Sequence, residues 1–115
     1  MFDVESKEEL EEIKLHLRVD LGFSDSEIKR MVKAAQFFLM SEIGDDRTFY
    51  KKENVLELFN LATLFLTDHY YKTRSATTSL KFSEVPYSVH SIILSLKAEY
   101  LLYKKRGGED GIGPT

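Results

Sequence analysis

Three histidines, His16, His69 and His90, are the side chains of this 115-residue sequence best suited to acid-base or metal chemistry. They stand far apart, and no two of them occupy i and i+4 of one helix, the arrangement that lets a helix present a pair of imidazoles to a metal. Asp68 beside His69 offers no dyad either, because adjacent helical residues point about 100 degrees apart. A glycine-rich phosphate loop, an HExxH helix, a nucleophile elbow and an EF-hand loop are all missing. With no cysteine, neither a disulfide framework nor a thiolate metal site can form. The histidines read as ordinary helix-face residues, no catalytic, cofactor-binding or metal-ligating residue is assigned, and the chain is not expected to be an enzyme.

The remaining candidates carry charge. Lys29, Arg30 and Lys33, following Leu21-Gly22-Phe23, outline a helix-turn-helix whose second helix would contact phosphates, so a small helical DNA-binding regulator is the alternative function. Against it, the preceding helix is acidic and would repel the DNA backbone, and no base-reading Asn or Gln stands near the start of the second. A mobility-shift series across salt concentrations separates the readings, since phosphate contacts predict affinity that falls steeply with salt. Asp3, Glu5, Glu8, Glu9, Glu11 and Glu12 crowd the first twelve residues against a single Lys7, whereas Lys104, Lys105 and Arg106 cluster near the other end. The two ends have opposite electrostatic character. The carboxylates favour the positive start of a helix and the cations its negative end, but both clusters are also available to a partner.

The elements that position these groups follow from patterning. A formal charge of -3 is too mild for a general nucleic-acid binder, and 43% hydrophobic residues over this length suit one domain with one core. No basic-then-apolar leader opens the sequence, and Val55 to Leu66, its most apolar stretch, is interrupted by Glu57, Asn60 and Thr63, so neither secretion nor membrane spanning is expected. Ser6 with Glu9 is a capping-box pattern, and Leu10, Ile13 and Leu17 follow at helical spacing, which predicts a helix from about Lys7 to Val19. Asp20-Leu21-Gly22 breaks it. Ser24 with Glu27 repeats the box before an apolar stripe of Ile28, Met31, Val32, Ala35, Phe38 and Leu39, in a helix ending near Gly44 as the C′ residue.

Asp45 to Lys51 reads as a polar connection. The next helix is apolar around nearly its whole circumference, from Val55 through Leu66, and must be enclosed by other helices or by copies of the same chain. Residues 72 to 85, KTRSATTSLKFSEV, predict a long loop or short hairpin in which Leu80 and Phe82 alternate with polar residues and await a pairing partner. Pro86 suits the first turn of a last helix carrying Val89, Ile92, Ile93, Leu96 and Leu101. The ending RGGEDGIGPT has the composition of a chain that does not order itself. The expectation is an all-α bundle of about four helices, organised as a helical domain over 1–103 and a basic, then glycine-rich tail over 104–115.

Three stretches together resemble the phage head-tail connector proteins, also called head-completion or adaptor proteins. His16-Leu17-Arg18-Val19-Asp20, followed by Asp25, Ile28, Met31, Val32, Ala34, Ala35 and Phe37, is similar to the family's LR-x-D opening. Asp68-His69-Tyr70-Tyr71-Lys72-Thr73-Arg74 is similar to its H-aromatic-Tyr-x-x-Arg ending of the central helix. Glu84-Val85-Pro86-Tyr87-Ser88-Val89 resembles the Leu-Pro-x-Gly-Val turn, with Val85 and Ser88 where Leu and Gly are usual. The order and spacing hold from Leu10 to Leu96. The resemblance implies a virion structural protein, made in the host cytoplasm, that forms a homo-oligomeric ring, expected to be a dodecamer, beneath the portal after DNA packaging. Such a ring extends the DNA channel and offers a docking surface to the next connector or tail-completion protein, and DNA passes without sequence-specific binding. On that reading Arg74, Leu80, Phe82, Pro86 and Tyr87 belong to the subunit interface, and Lys104, Lys105, Arg106 and Ile112 to the portal contact. No cofactor and no membrane partner is implied.

Overall fold

A computed structural model describes residues 1–17, 24–73 and 85–107, with Lys72 and Thr73 as backbone only. Among these residues lie α1 (Lys7–Leu17), α2 (Asp25–Ile43), a 3-10 helix (Arg47–Lys51), α3 (Glu53–Thr73) and α4 (Tyr87–Lys105), with no strand. The architecture is the small all-α bundle expected from the periodicity. The end of the first helix at Val19, the break at residues 20–22, the 74–84 part of the predicted loop or hairpin and the tail from 108 onward lie outside the described residues.

Both predicted N-termini form, by different bonds. At α2 the capping box closes in both directions: Ser24 Oγ accepts from the Glu27 N–H at 3.2 Å, and Glu27 Oε1 accepts from the Ser24 N–H at 3.5 Å. At α1 Ser6 Oγ accepts from the Glu9 N–H at 3.4 Å, but the Glu9 carboxylate accepts from the Asp3 N–H, 3.2 Å away, and so ties down the preceding segment.

Two core clusters result. In the smaller one Val4, Leu10, Ile13 and Leu17 pack on Ile28 and Val32, the N-terminal half of the α2 stripe, with Leu64 against them. In the larger one Ala35, Leu39 and Ile43 of α2 meet Val55, Phe59, Ala62, Leu66 and Tyr70 of α3, and Val89, Ile93, Leu96 and Tyr103 of α4. α2 and α3 thus form the spine of the bundle, and α1 and α4 each cover a different part of it. The apolar circumference of α3 is largely enclosed within one chain, which leaves Leu58 and Leu61 partly exposed.

The structure corrects three expectations. Asp45 to Lys51 is not simply polar: it contains the 3-10 helix, capped by Asp46 Oδ1 accepting from the Thr48 N–H at 3.1 Å, and this buries Phe49 and Tyr50. Four charged neighbours hid two adjacent aromatics, which a single turn carries together into the core. Gly44 ends α2 and sends its N–H to the Met40 carbonyl at 2.9 Å, but not in the left-handed conformation of a usual C′ glycine. It is required because the Tyr100 ring lies directly over its α-carbon. Leu101, expected in the core, is exposed, and the place two turns beyond Leu96 is taken by Tyr103.

Candidate interaction surfaces

The basic end of α4 is held by the 3-10 helix. Asp46 Oδ2 accepts from the Tyr103 hydroxyl at 3.2 Å and from Lys104 Nζ at 3.4 Å, while its Oδ1 caps the 3-10 turn. Tyr103 also lies beneath Lys52 Nζ, 5.0 Å from the ring centroid. Phe49 joins these parts: its ring is 5.1 Å from Tyr50, 5.1 Å from Tyr100 and 5.2 Å from Tyr103. Lys104 and Lys105 therefore stand in the last turn of a helix anchored on two sides. Arg106 follows as its cap, its N–H bonded to the Leu102 carbonyl at 3.0 Å, and Lys105 and Arg106 are exposed.

Partial desolvation opposes ionisation of Asp46, but the Thr48 N–H, Lys104 and Tyr103 outweigh it and hold the carboxyl below its ordinary value. A depressed folded-state pKa adds stability that is present above the unfolded carboxylate range and lost as pH falls through the folded value. Asp46→Asn is expected to be less stable than the parent at neutral pH, with the difference shrinking as acid protonates the parent. Denaturant midpoints measured from pH 7 down to pH 3 read this directly; a gap that stays constant would show that Asp46 contributes only through shape.

Of the residues expected at a subunit interface, Pro86 is half-buried just before α4, with Val85 buried behind it, and Tyr87 is 85% exposed at the first position of the helix. Arg74, Leu80 and Phe82, and Ile112 of the portal set, lie outside the described residues. In the second motif Tyr70 is buried, with its ring 6.4 Å from His69, and burial pushes its hydroxyl pKa up to about 12. This tyrosine anchors the C-terminal part of α3 in the main core. His16 is exposed on α1, and among the described residues no three His, Asp or Glu side chains are grouped to hold a metal.

The cations proposed for phosphate contact do not form a free basic patch. Lys29 and Lys33 both reach Glu5, at 3.7 and 3.9 Å, and Arg30 is exposed beside them. A carboxylate between two phosphate-binding lysines opposes DNA binding by this helix. Lys33, Phe37 and Met40 of this helix, with Met1, Asp45 and Arg47, line an open depression of about 640 Å³.

Sequence reading missed the large apolar side chains left in solvent. Leu15 is 78% exposed, Phe37 77%, Leu94 62% and Leu101 67%. On α4, Tyr87, Leu94 and Leu101 recur every seven residues with Ser91 and Ala98 between them, all exposed and all opposite the buried row of Val89, Ile93, Leu96 and Tyr103. This is an apolar stripe running almost the length of the helix. Its seven-residue spacing is the signal that would have revealed it: spacing named Val89, Ile92, Ile93 and Leu96 as the inner row, and the second apolar row on the opposite side went unread.

A helical bundle with a long apolar face turned to solvent has the form of an assembly component. The model of the phage gp6-like head-tail connector protein family matches residues 7–97, from the start of α1 into α4, and the chain belongs to this family. Searches of curated proteins and of solved structures gave no match. Membership makes the chain a structural connector component of a phage virion that interacts with other head or tail proteins. Among the described residues no helix is long and apolar enough to cross a membrane. The match ends before Tyr100, Tyr103 and the basic end of α4, so the anchor of that end joins residues beyond the matched span to Asp46, Phe49 and Lys52 within it.

Proposed function

We propose that the chain works as one subunit of a closed ring, dodecameric as the resemblance implies, that sits below the portal, extends the DNA channel and receives the next connector or tail component. The observation carrying this reading is the exposed Tyr87–Leu94–Leu101 face of α4 in a member of a connector family. A lone domain gains nothing by keeping such a face in water, whereas a heterologous contact between identical copies buries it repeatedly around a ring. In the same proposal Arg74, Leu80, Phe82, Pro86 and Tyr87 contribute to the contact between copies. Lys104, Lys105, Arg106 and Ile112 meet the portal, where a firmly held helix end presents the cations. The domain ends near Tyr103, and the tail serves docking rather than folding. DNA passes through the channel without sequence-specific contact.

Replacing Leu80 and Phe82 together with Ser is expected to reduce ring formation while leaving helical content intact. Electron microscopy of the purified chain, alone and mixed with portal-bearing heads, scores the rings, and circular dichroism scores the helices. Rings that form as in the parent would remove these two residues from the interface. Truncation after Gly107, which keeps every described contact of α4, is expected to lower retention on portal-bearing heads. Unchanged retention would remove Ile112 and the tail from the portal contact.

A further inference from the structure

The ring reading leaves open which two surfaces meet, and the charges on the two outermost helices bear on this. The exposed side of α4 carries Tyr87, Leu94, Ala98 and Leu101, with Leu102 half-exposed beside them. Its charged residues are Lys97, Lys104 and Lys105, then Arg106, against a single carboxylate, Glu99. The exposed side of α1 has the complementary layout. Leu10, Ile13 and Leu17 face inward, and on the opposite side Glu8, Glu11 and Glu12 lead up to Leu15. Glu11 is engaged by Lys14 at 3.3 Å, and Lys14 also reaches Asp25 at 2.9 Å, so Glu8 and Glu12 dominate the outer face.

These faces belong to helices in different core clusters, α1 in the smaller and α4 in the larger. A heterologous interface needs two different patches on one molecule that complement each other, and opposite charge around an apolar centre meets this requirement. Like faces would set carboxylates against carboxylates or lysines against lysines.

We propose that the acidic face of α1, centred on Leu15, docks on the apolar and basic stripe of α4, Tyr87–Leu94–Leu101, in the next copy of this chain. Leu15 enters the row between Leu94 and Leu101, and Glu8 and Glu12 approach Lys97, which leaves the basic end of the helix to the portal. This inference rests on the ring reading and specifies its contact; Tyr87 is common to both.

Two measurements test it. The chain has no cysteine, so a chain carrying both Leu15→Cys and Leu94→Cys is expected to oxidise into a ladder of linked copies. Leu15→Cys or Leu94→Cys alone is expected to give no ladder beyond a dimer, because each copy then has one thiol. The second measurement uses charge. Leu94→Glu with Leu101→Glu places carboxylates against α1 and is expected to lower the ring fraction about tenfold or more; Glu8→Lys with Glu12→Lys weakens the other face and lowers it too. Because the contact is heterologous, mixing the two variants, or combining all four substitutions in one chain, is expected to restore rings. Circular dichroism monitors folding. Lack of a ladder in the double-cysteine chain overturns the proposal, as do rings that survive Leu94→Glu with Leu101→Glu or a mixture that does not recover. A parent chain that forms no rings, alone or on portal-bearing heads, overturns the ring reading itself, an outcome distinct from parent rings that ignore these substitutions.

Discussion

Phe49→Ala is expected to cost about 3–5 kcal/mol, the range for removing a fully buried aromatic ring whose site cannot collapse. Phe49 is completely buried, and its ring makes edge or tilted contacts with Tyr50, Tyr100 and Tyr103. It therefore binds the 3-10 helix to α4 from within, and the cavity left by Ala would be roofed by three rings that hold one another apart. Domains of this size have a total stability of about 5–15 kcal/mol, so the variant would keep only a fraction of it. A drop in Tm on the order of 15 °C or more follows, measurable by thermal unfolding. A drop of only a few degrees would mean that the aromatic cluster repacks freely. Under the proposed portal contact the consequence for function falls at the end of α4, because Asp46, Tyr103 and Lys104 are positioned through the same cluster. Binding to portal-bearing heads is expected to weaken at temperatures where the variant is still folded.

Gly44→Ala is the smallest substitution in the chain with a large expected effect. A Cβ at this position would fall within the Tyr100 ring, whose atoms lie too close to the backbone for any side chain to fit between. That ring cannot swing away without losing its perpendicular contact with Phe49 at 5.1 Å. The Gly44 carbonyl also accepts the Tyr50 hydroxyl, which fixes the glycine on its other side. Overpacking of this kind costs about 1–3 kcal/mol, at the upper end when neighbours are themselves packed. The specific expectation is coupling: in a Tyr100→Ala background, Gly44→Ala should cost far less than in the parent. A double-mutant cycle by urea denaturation measures this, and additive costs would show that Tyr100 is not what excludes a side chain at Gly44.

These two sites also mark the limit of what could be read along the chain. All four helices were legible because α1, α2 and α4 carry apolar residues at helical spacing and α3 is apolar around nearly its whole circumference, and the Ser24–Glu27 box placed the start of α2. Such signals involve residues within one or two turns of each other. Gly44 and Tyr100 meet across 56 positions, and nothing local to either residue announces the other. Phe49 and Tyr50 were hidden for a related reason: five residues of 3-10 helix are too short to show a period, and charged neighbours gave the segment a polar average.

The interaction surfaces divide the same way. Three ordered motifs placed the chain in its family, and the opposite charges of its two ends were visible from composition. In α4, however, Leu94 and Leu101 are as apolar as Val89, Ile93 and Leu96. Hydrophobicity by itself determined that this segment is a helix and that it must bury a side. Spacing also named Val89, Ile93 and Leu96 as its inner row, but that Tyr103 and not Leu101 extends this row was settled only when α2, α3 and the 3-10 helix packed against it. A core accepts the row of side chains whose shapes fill the space between neighbouring helices, and that fit is a property of the assembled bundle, not of any one of its segments.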